Sequence, residues 1–162
     1  AWDYPGYGIS PGEPSESGIY EAAEGLWEFL TGEMGVPSNK IIQYGRSVGG
    51  GPATWMARRK PGAGLILEST FTSTFRVMTP VKLLPWDVFD NLKHIQHVKA
   101  PVLFFHGTED ATVEFWHSKR LWEAARAPKQ FAWIEGGGHN NLVEDFPEIY
   151  RSSLQKWAEY EL

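Results

Sequence analysis

Cysteine is absent from the 162-residue chain. That removes disulfides, thiolate catalysis and cysteine-ligated zinc, and it leaves the redox compartment open. Long apolar runs are missing too. None approaches the roughly 20 residues of a membrane helix, and no signal peptide is visible. Positive charge is in short supply: 15 Lys and Arg stand against 20 Asp and Glu, a net charge of −5. No basic patch therefore points to a nucleic acid or an anionic membrane, and neither is expected as a partner. Close metal-ligand pairs are scarce. His94 and His97 form the one near pair of histidines, with no acidic third ligand at a recognisable spacing, so no metal is expected. The run Gly49-Gly50-Gly51 lacks the Gly-Lys-[Ser/Thr] ending of a phosphate-binding loop, and no organic cofactor is expected either.

What the chain does have is one alternating pattern of short apolar runs and amphipathic stretches. It is long enough for one domain with a sizeable core. The expected fold class is α/β, a mostly parallel sheet flanked by helices, over residues 1–162. Ser17 is placed as the cap of a first helix running to about Glu33, with Ile19, Ala22, Ala23, Leu26, Trp27, Phe29 and Leu30 on its apolar face and Gly32 and Gly35 ending it. Lys40-Ile41-Ile42-Gln43-Tyr44 reads as a short buried strand, and the stretch from Pro52 to Arg59 as a helix. A strand is expected around Leu65-Ile66-Leu67. Residues 70–97 show no clean period, and Pro80 and Pro85 interrupt them. Further strands are expected at Pro101 to Phe105 and Phe131 to Ile134, separated by a helix with Leu121, Trp122 and Ala125 inward. A last helix starts at Pro147 and carries Tyr150, Leu154, Trp157 and Ala158.

The chemistry-bearing residues lie where apolar runs end. Gly45-Arg46-Ser47-Val48-Gly49 matches G-x-S-x-G, a pattern that forces a serine onto a tight strand-to-helix turn with its hydroxyl exposed. A Cβ at either flanking glycine is expected to crowd that turn. The bland alternative is a glycine-rich turn without chemistry. A serine hydroxyl needs a base, and the base needs an orienting group. His106-Gly107-Thr108-Glu109-Asp110 follows one strand and Glu135-Gly136-Gly137-Gly138-His139 another, so Asp110 and His139 fall at the carboxyl end of a parallel sheet, where catalytic groups of such sheets gather. Asp110 competes with the reading of a plain turn or cap aspartate, and Glu109 and Glu68 are rival acids. Among the other histidines, His94 and His97 read as surface residues. His117 falls in a helix, and His106 reads as a buried, hydrogen-bonded structural residue.

Taken in order, four segments resemble the α/β-hydrolase family: Asp3-Tyr4-Pro5-Gly6-Tyr7-Gly8-Ile9-Ser10 is similar to its D-x-x-G-x-G-x-S segment, Gly45 to Gly49 to its serine turn, His106 to Asp110 to its acid loop and Gly138-His139-Asn140-Asn141 to its base loop. The resemblance spans essentially the whole chain, and its nearest branch is the small serine hydrolases related to protein depalmitoylases and serine aminopeptidases. It implies a serine hydrolase of carboxylic esters or thioesters with Ser47 as nucleophile, His139 as base, Asp110 as its orienting acid and Val48 N–H as an oxyanion donor. It also implies a small cap at about residues 70–97, for which the plain alternative is an irregular loop packed on the core. Phe75, Met78 and Trp86 are expected to contact the acyl chain there, and Arg46 to contact substrate.

One departure sets two further expectations. The family carries an N-terminal half-sheet before the D-x-x-G-x-G segment, and one of its loops donates a second oxyanion N–H. No such motif precedes Ser47, so the chain is expected to begin near the tail of the family's fourth strand. A catalytically weak or inactive fragment, acting as a binding or structural module, is the competing function. The strand before Ser47 is then expected to expose an apolar edge at Ile41, Ile42 and Tyr44, and to pair with a second copy in a homodimer or larger assembly. A cytoplasmic location is expected, with the proviso that a preceding segment would carry any signal or anchor.

Overall fold

The computed structural model describes residues 3–74 and 88–161. Its frame is a sheet of four strands, all parallel, in the order β1-β2-β3-β4. They are β1 (Ile42–Arg46), β2 (Gly64–Glu68), β3 (Val102–Gly107) and β4 (Lys129–Ile134). Parallel strands need crossover connections, and here helices supply them. The helices are α1 (Glu16–Glu28), α2 (Gly50–Arg59), α3 (Asn91–Ile95), α4 (Trp116–Ala124), α5 (Leu142–Asp145) and α6 (Pro147–Glu161).

The two-residue period of the strands divides the core. Leu65 and Leu67 of β2 and Val102 and Phe104 of β3 face one side, where Ala53, Ala57, Ile95, Leu121 and Ala125 cover them. Ile66, Leu103, Phe105, Ala132 and Ile134 face the other, under Leu142, Tyr150 and Trp157. Helices α2, α3 and α4 thus lie on one face of the sheet and α5 and α6 on the opposite one. Strand β2 is buried along its whole length, as a strand inside a doubly covered sheet must be.

The elements fall close to where the sequence puts them, with two corrections in the first part of the chain. The cap of α1 is Ser15, not Ser17: its backbone is extended at φ −152° and its Oγ accepts from Gly18 N–H at 3.1 Å. Ser17 already lies inside the helix, where a side chain caps nothing. Past Glu28 the helix widens into a π-type turn, Phe29–Glu33. That breaks the 3.6-residue register, and Phe29 is exposed instead of joining the apolar face formed by Ile19, Ala23 and Trp27.

Strand β1 begins two residues later than the apolar run suggests, and it is not buried. Among the described residues it has a neighbour on one side, β2, and Ile42 and Tyr44 are 43% and 51% exposed. An apolar β-branched run is compatible with an inner strand or with an uncovered edge, and the period does not separate them. Of the stretch 70–97, Phe71, Thr72 and Ser73 are buried and α3 packs against α2 and α4. The expected acyl contacts Phe75, Met78 and Trp86 lie outside the described residues.

Candidate functional site

Ser47 ends up half-buried on a tight turn because of what surrounds the glycine two residues before it. A Cβ on Gly45 would stand 2.5 Å from Gly49 O and 2.7 Å from Ala53 Cβ, so the turn from β1 into α2 closes only over glycine. Gly49, the other glycine of the motif, meets nothing closer than Tyr4 Oη at 3.5 Å; the expectation that a Cβ would crowd both flanks holds for Gly45 alone. The next two glycines are the tight ones, with Thr70 against Gly50 and Phe89 against Gly51. Ser47 itself takes φ 50°, a left-handed conformation that costs a non-glycine residue of order 1–3 kcal/mol and that clusters at functional sites. It opens a short 3₁₀ turn, Ser47–Gly49, leading into α2.

The other two loops meet it. His139 Nε2 lies 3.1 Å from Ser47 Oγ, and His139 Nδ1 lies 2.7 Å from Asp110 Oδ2. With Asp110 ionised, the Nδ1 proton points at the carboxylate, and Nε2 is left as an acceptor facing the serine hydroxyl. The acid that meets the histidine is Asp110; Glu109 is exposed and Glu68 is engaged elsewhere. Asp110 Oδ1 accepts from the N–H groups of Thr112, at 2.9 Å, and Val113, at 2.8 Å. Burial acts to raise the Asp110 carboxyl. Hydrogen bonds from His106, Val113 N–H, His139 and Thr112 N–H outweigh it and hold the group well below the usual carboxylate range.

His106 backs the acid from behind. It is fully buried, with Nε2 2.8 Å from Val113 O and 3.3 Å from Asp110 Oδ2. Two acceptors at Nε2 require the proton there, so Nδ1 accepts from the Ser118 hydroxyl at 2.5 Å. His106 is thus the buried structural histidine expected, with one addition: it also helps keep Asp110 ionised. His117, in α4, is buried and accepts Thr72 N–H at Nδ1 over 3.1 Å. His97 is exposed. His94 is not the surface residue expected. It is half-buried near Tyr20, and burial first, then the Arg58 charge, push its imidazole down to about 4.

Arg46, expected to contact substrate, has its guanidinium committed within the protein. Nε is 3.2 Å from Glu68 Oε1; Nη2 donates to His139 O at 3.1 Å and to Asn140 Oδ1. Glu68 is buried at the end of β2 and also accepts the hydroxyls of Tyr44 and Tyr150, each at 2.7 Å. Sequence reading missed Ser118, Tyr44 and Tyr150 as members of this surround. Tyr150 is 82 residues from its carboxylate, and no local spacing marks such a pair. Val48, the expected oxyanion donor, directly follows Ser47 at the first turn, with its side chain half exposed.

Chemically, the arrangement is a hydroxyl, an unprotonated imidazole nitrogen and a fixed carboxylate in a row, a set suited to acyl transfer. No family model matches the chain. Curated relatives do. The chain is 36% identical over 162 residues to human alpha/beta hydrolase domain-containing protein 17B, covering 99% of itself and 54% of that protein. It is 38% identical over 158 residues to alpha/beta hydrolase domain-containing protein aho-3 of Caenorhabditis elegans, covering 96% of itself and 46% of that protein. The chain therefore spans about half the length of these relatives. Among solved structures it resembles a monoacylglycerol lipase from Paleococcus ferrophilus, with a TM-score of 0.72, 21% identity and coverage of 97% of this chain and 81% of that one. It also resembles an esterase domain from Rhodothermus marinus, with a TM-score of 0.67, 20% identity and coverage of 87% and 68%. These structural likenesses show the shared fold.

Proposed function

We propose that this chain, a member of the α/β-hydrolase family, hydrolyses carboxylic esters or thioesters through an acyl-enzyme on Ser47. The observation that carries the reading is the continuous line from Asp110 Oδ2 through His139 to Ser47 Oγ, at 2.7 and 3.1 Å. Ser47 Oγ attacks the acyl carbon while its proton passes to His139 Nε2. Asp110 keeps the imidazole in the required tautomer and stabilises its charged form. Val48 N–H faces the negative charge that develops on the carbonyl oxygen. Collapse of that intermediate expels an alcohol or thiol, which takes the proton from Nε2, and leaves the acyl group on Ser47. Water then gives a proton to His139 and its oxygen to the acyl carbon, and the acid departs with Ser47 restored. The resemblance to the depalmitoylase-like branch favours a small acyl-ester or thioester substrate.

A second reading is that the chain turns over weakly or not at all and acts as a binding or structural module. A fluorophosphonate probe separates the two. It transfers its phosphonyl group to an activated serine with loss of fluoride, and intact mass reads the product. One adduct on the wild-type chain and none on Ser47→Ala supports the hydrolase. No adduct on a folded wild-type chain supports the module.

A further inference from the structure

We propose that Arg46, braced by Glu68, is a positioning residue that fixes the His139 loop over Ser47; the role rests on the serine-hydrolase reading above. The loop between β4 and α5 is held in two halves by different neighbours. Its first half is tied to the end of β3: Gly136 N–H donates to Thr108 Oγ1 at 3.0 Å, and Glu109 N–H to Gly137 O at 2.9 Å. Its second half carries the histidine. There, Gly138 N–H closes onto Asn141 Oδ1 within the loop at 2.8 Å, and Arg46 Nη2 reaches in from β1 to His139 O and Asn140 Oδ1.

The position of Arg46 makes this more than a surface contact. It is the residue before Ser47, so one turn presents the serine hydroxyl to the His139 side chain and the guanidinium to the His139 backbone. Both ends of the 3.1 Å Ser47–His139 separation are thereby referred to two adjacent residues, Arg46 at the end of β1 and Ser47 at the start of the turn. The guanidinium is itself held. Its side chain is 41% exposed, but the Glu68 carboxylate it meets is 4% exposed. A carboxylate that deep is stable only with partners, and Glu68 has three: Arg46 Nε on Oε1, and the hydroxyls of Tyr44 and Tyr150 on Oε2. The anchor therefore ties β1, β2, α6 and the base loop into one unit. Arg suits this post, since its planar fork holds a carboxylate at one edge and a carbonyl at the other, which a lysine ammonium cannot do in fixed geometry.

The test compares wild type with Arg46→Ala and Glu68→Gln, each first shown to be folded by circular dichroism. Two readouts are taken. Amide exchange across residues 135–141 and the downfield Nδ1–H proton resonance of His139 report the loop without any turnover. The fluorophosphonate labelling rate reports Ser47. In both variants, exchange of 138–141 is expected to speed up, the Nδ1–H resonance to broaden, and labelling to slow about tenfold to a hundredfold, the scale of a small misplacement of a reacting group. Methylguanidinium added to Arg46→Ala is expected to restore part of the rate. Unchanged exchange in folded Arg46→Ala overturns the proposal, as does loosened exchange with labelling at the wild-type rate. Should Glu68→Gln fail to fold, Arg46→Ala alone decides. A wild-type chain that never labels, beside an Arg46→Ala loop that loosens, removes the hydrolase reading and leaves the anchor standing.

Discussion

At the scale of single residues, Asp110 is where chemistry and stability meet. Its carboxylate orients His139 through one oxygen and caps the turn at Thr112 and Val113 through the other. Asp110→Asn keeps the shape but offers His139 Nδ1 an N–H in place of an acceptor, which moves the imidazole proton to Nε2, where it blocks proton transfer from Ser47. Labelling of Ser47 is expected to fall about ten-thousandfold. The same substitution changes the acid limb of stability. A carboxyl held below its ordinary value in the folded chain contributes stability above the unfolded value of about 4 and loses it as pH falls through the folded value. Urea unfolding followed from about pH 7 down to about pH 3 is therefore expected to show a steeper loss for wild type than for Asp110→Asn. Equal slopes would remove Asp110 as the source. Ser47, Asp110 and His139 were legible because each follows a glycine by no more than three residues where an apolar run ends. Arg46 was legible as a residue but not in its contacts, which depend on Glu68 and on a loop 93 residues away.

At the scale of elements, the strand-turn-helix around Ser47 gives the sharpest structural prediction. The pattern G-x-S-x-G weights its two glycines equally, whereas the packing does not. Gly49→Ala places a methyl at an αR backbone in no more than ordinary van der Waals contact, 3.5 Å from Tyr4 Oη, and its effect on stability is expected to stay within about 0.5 kcal/mol. Gly50→Ala drives a methyl into the short, β-branched side chain of Thr70, which is buried and cannot swing away. Overpacking of this kind costs about 1–3 kcal/mol, or a fall in Tm of about 2–4 °C for each kcal/mol in a domain of this size. Thermal unfolding of the two variants side by side checks the order; a Gly49→Ala that melts first would contradict it. The order of strands and helices was readable from periodicity, because the inner strands β2 and β3 are continuous apolar runs and α6 opens on a proline. Element ends were less readable. The shift of the cap from Ser17 to Ser15 and the π-type turn after Glu28 depend on backbone angles that two nearby serines and a continuing apolar stripe do not disclose.

At the scale of the whole molecule, the exposed edge of β1 is the feature that reaches beyond the chain. Ile42 and Tyr44 stand out on it, and beside it an apolar groove of about 130 Å³ runs between α1, β1 and α2, lined by Ala23, Trp27, Ile41, Tyr44, Pro52 and Met56. Ser47, Asp110 and His139 are not part of that lining. Unpaired strand N–H and C=O groups flanked by apolar side chains recruit another strand, and a second copy of this chain offers one of equal length in a self-complementary arrangement. The 162-residue chain is therefore expected to associate as its concentration rises, with sedimentation velocity reading dimer or larger species. Ile42→Lys sets a charge on the edge without touching Glu68, Tyr44 or the serine turn. It is expected to return the chain to monomer while leaving the labelling rate of Ser47 unchanged. A wild-type chain that sediments as a single monomer at every concentration would overturn the pairing, and an Ile42→Lys monomer that no longer labels would mean that the paired edge holds the site together.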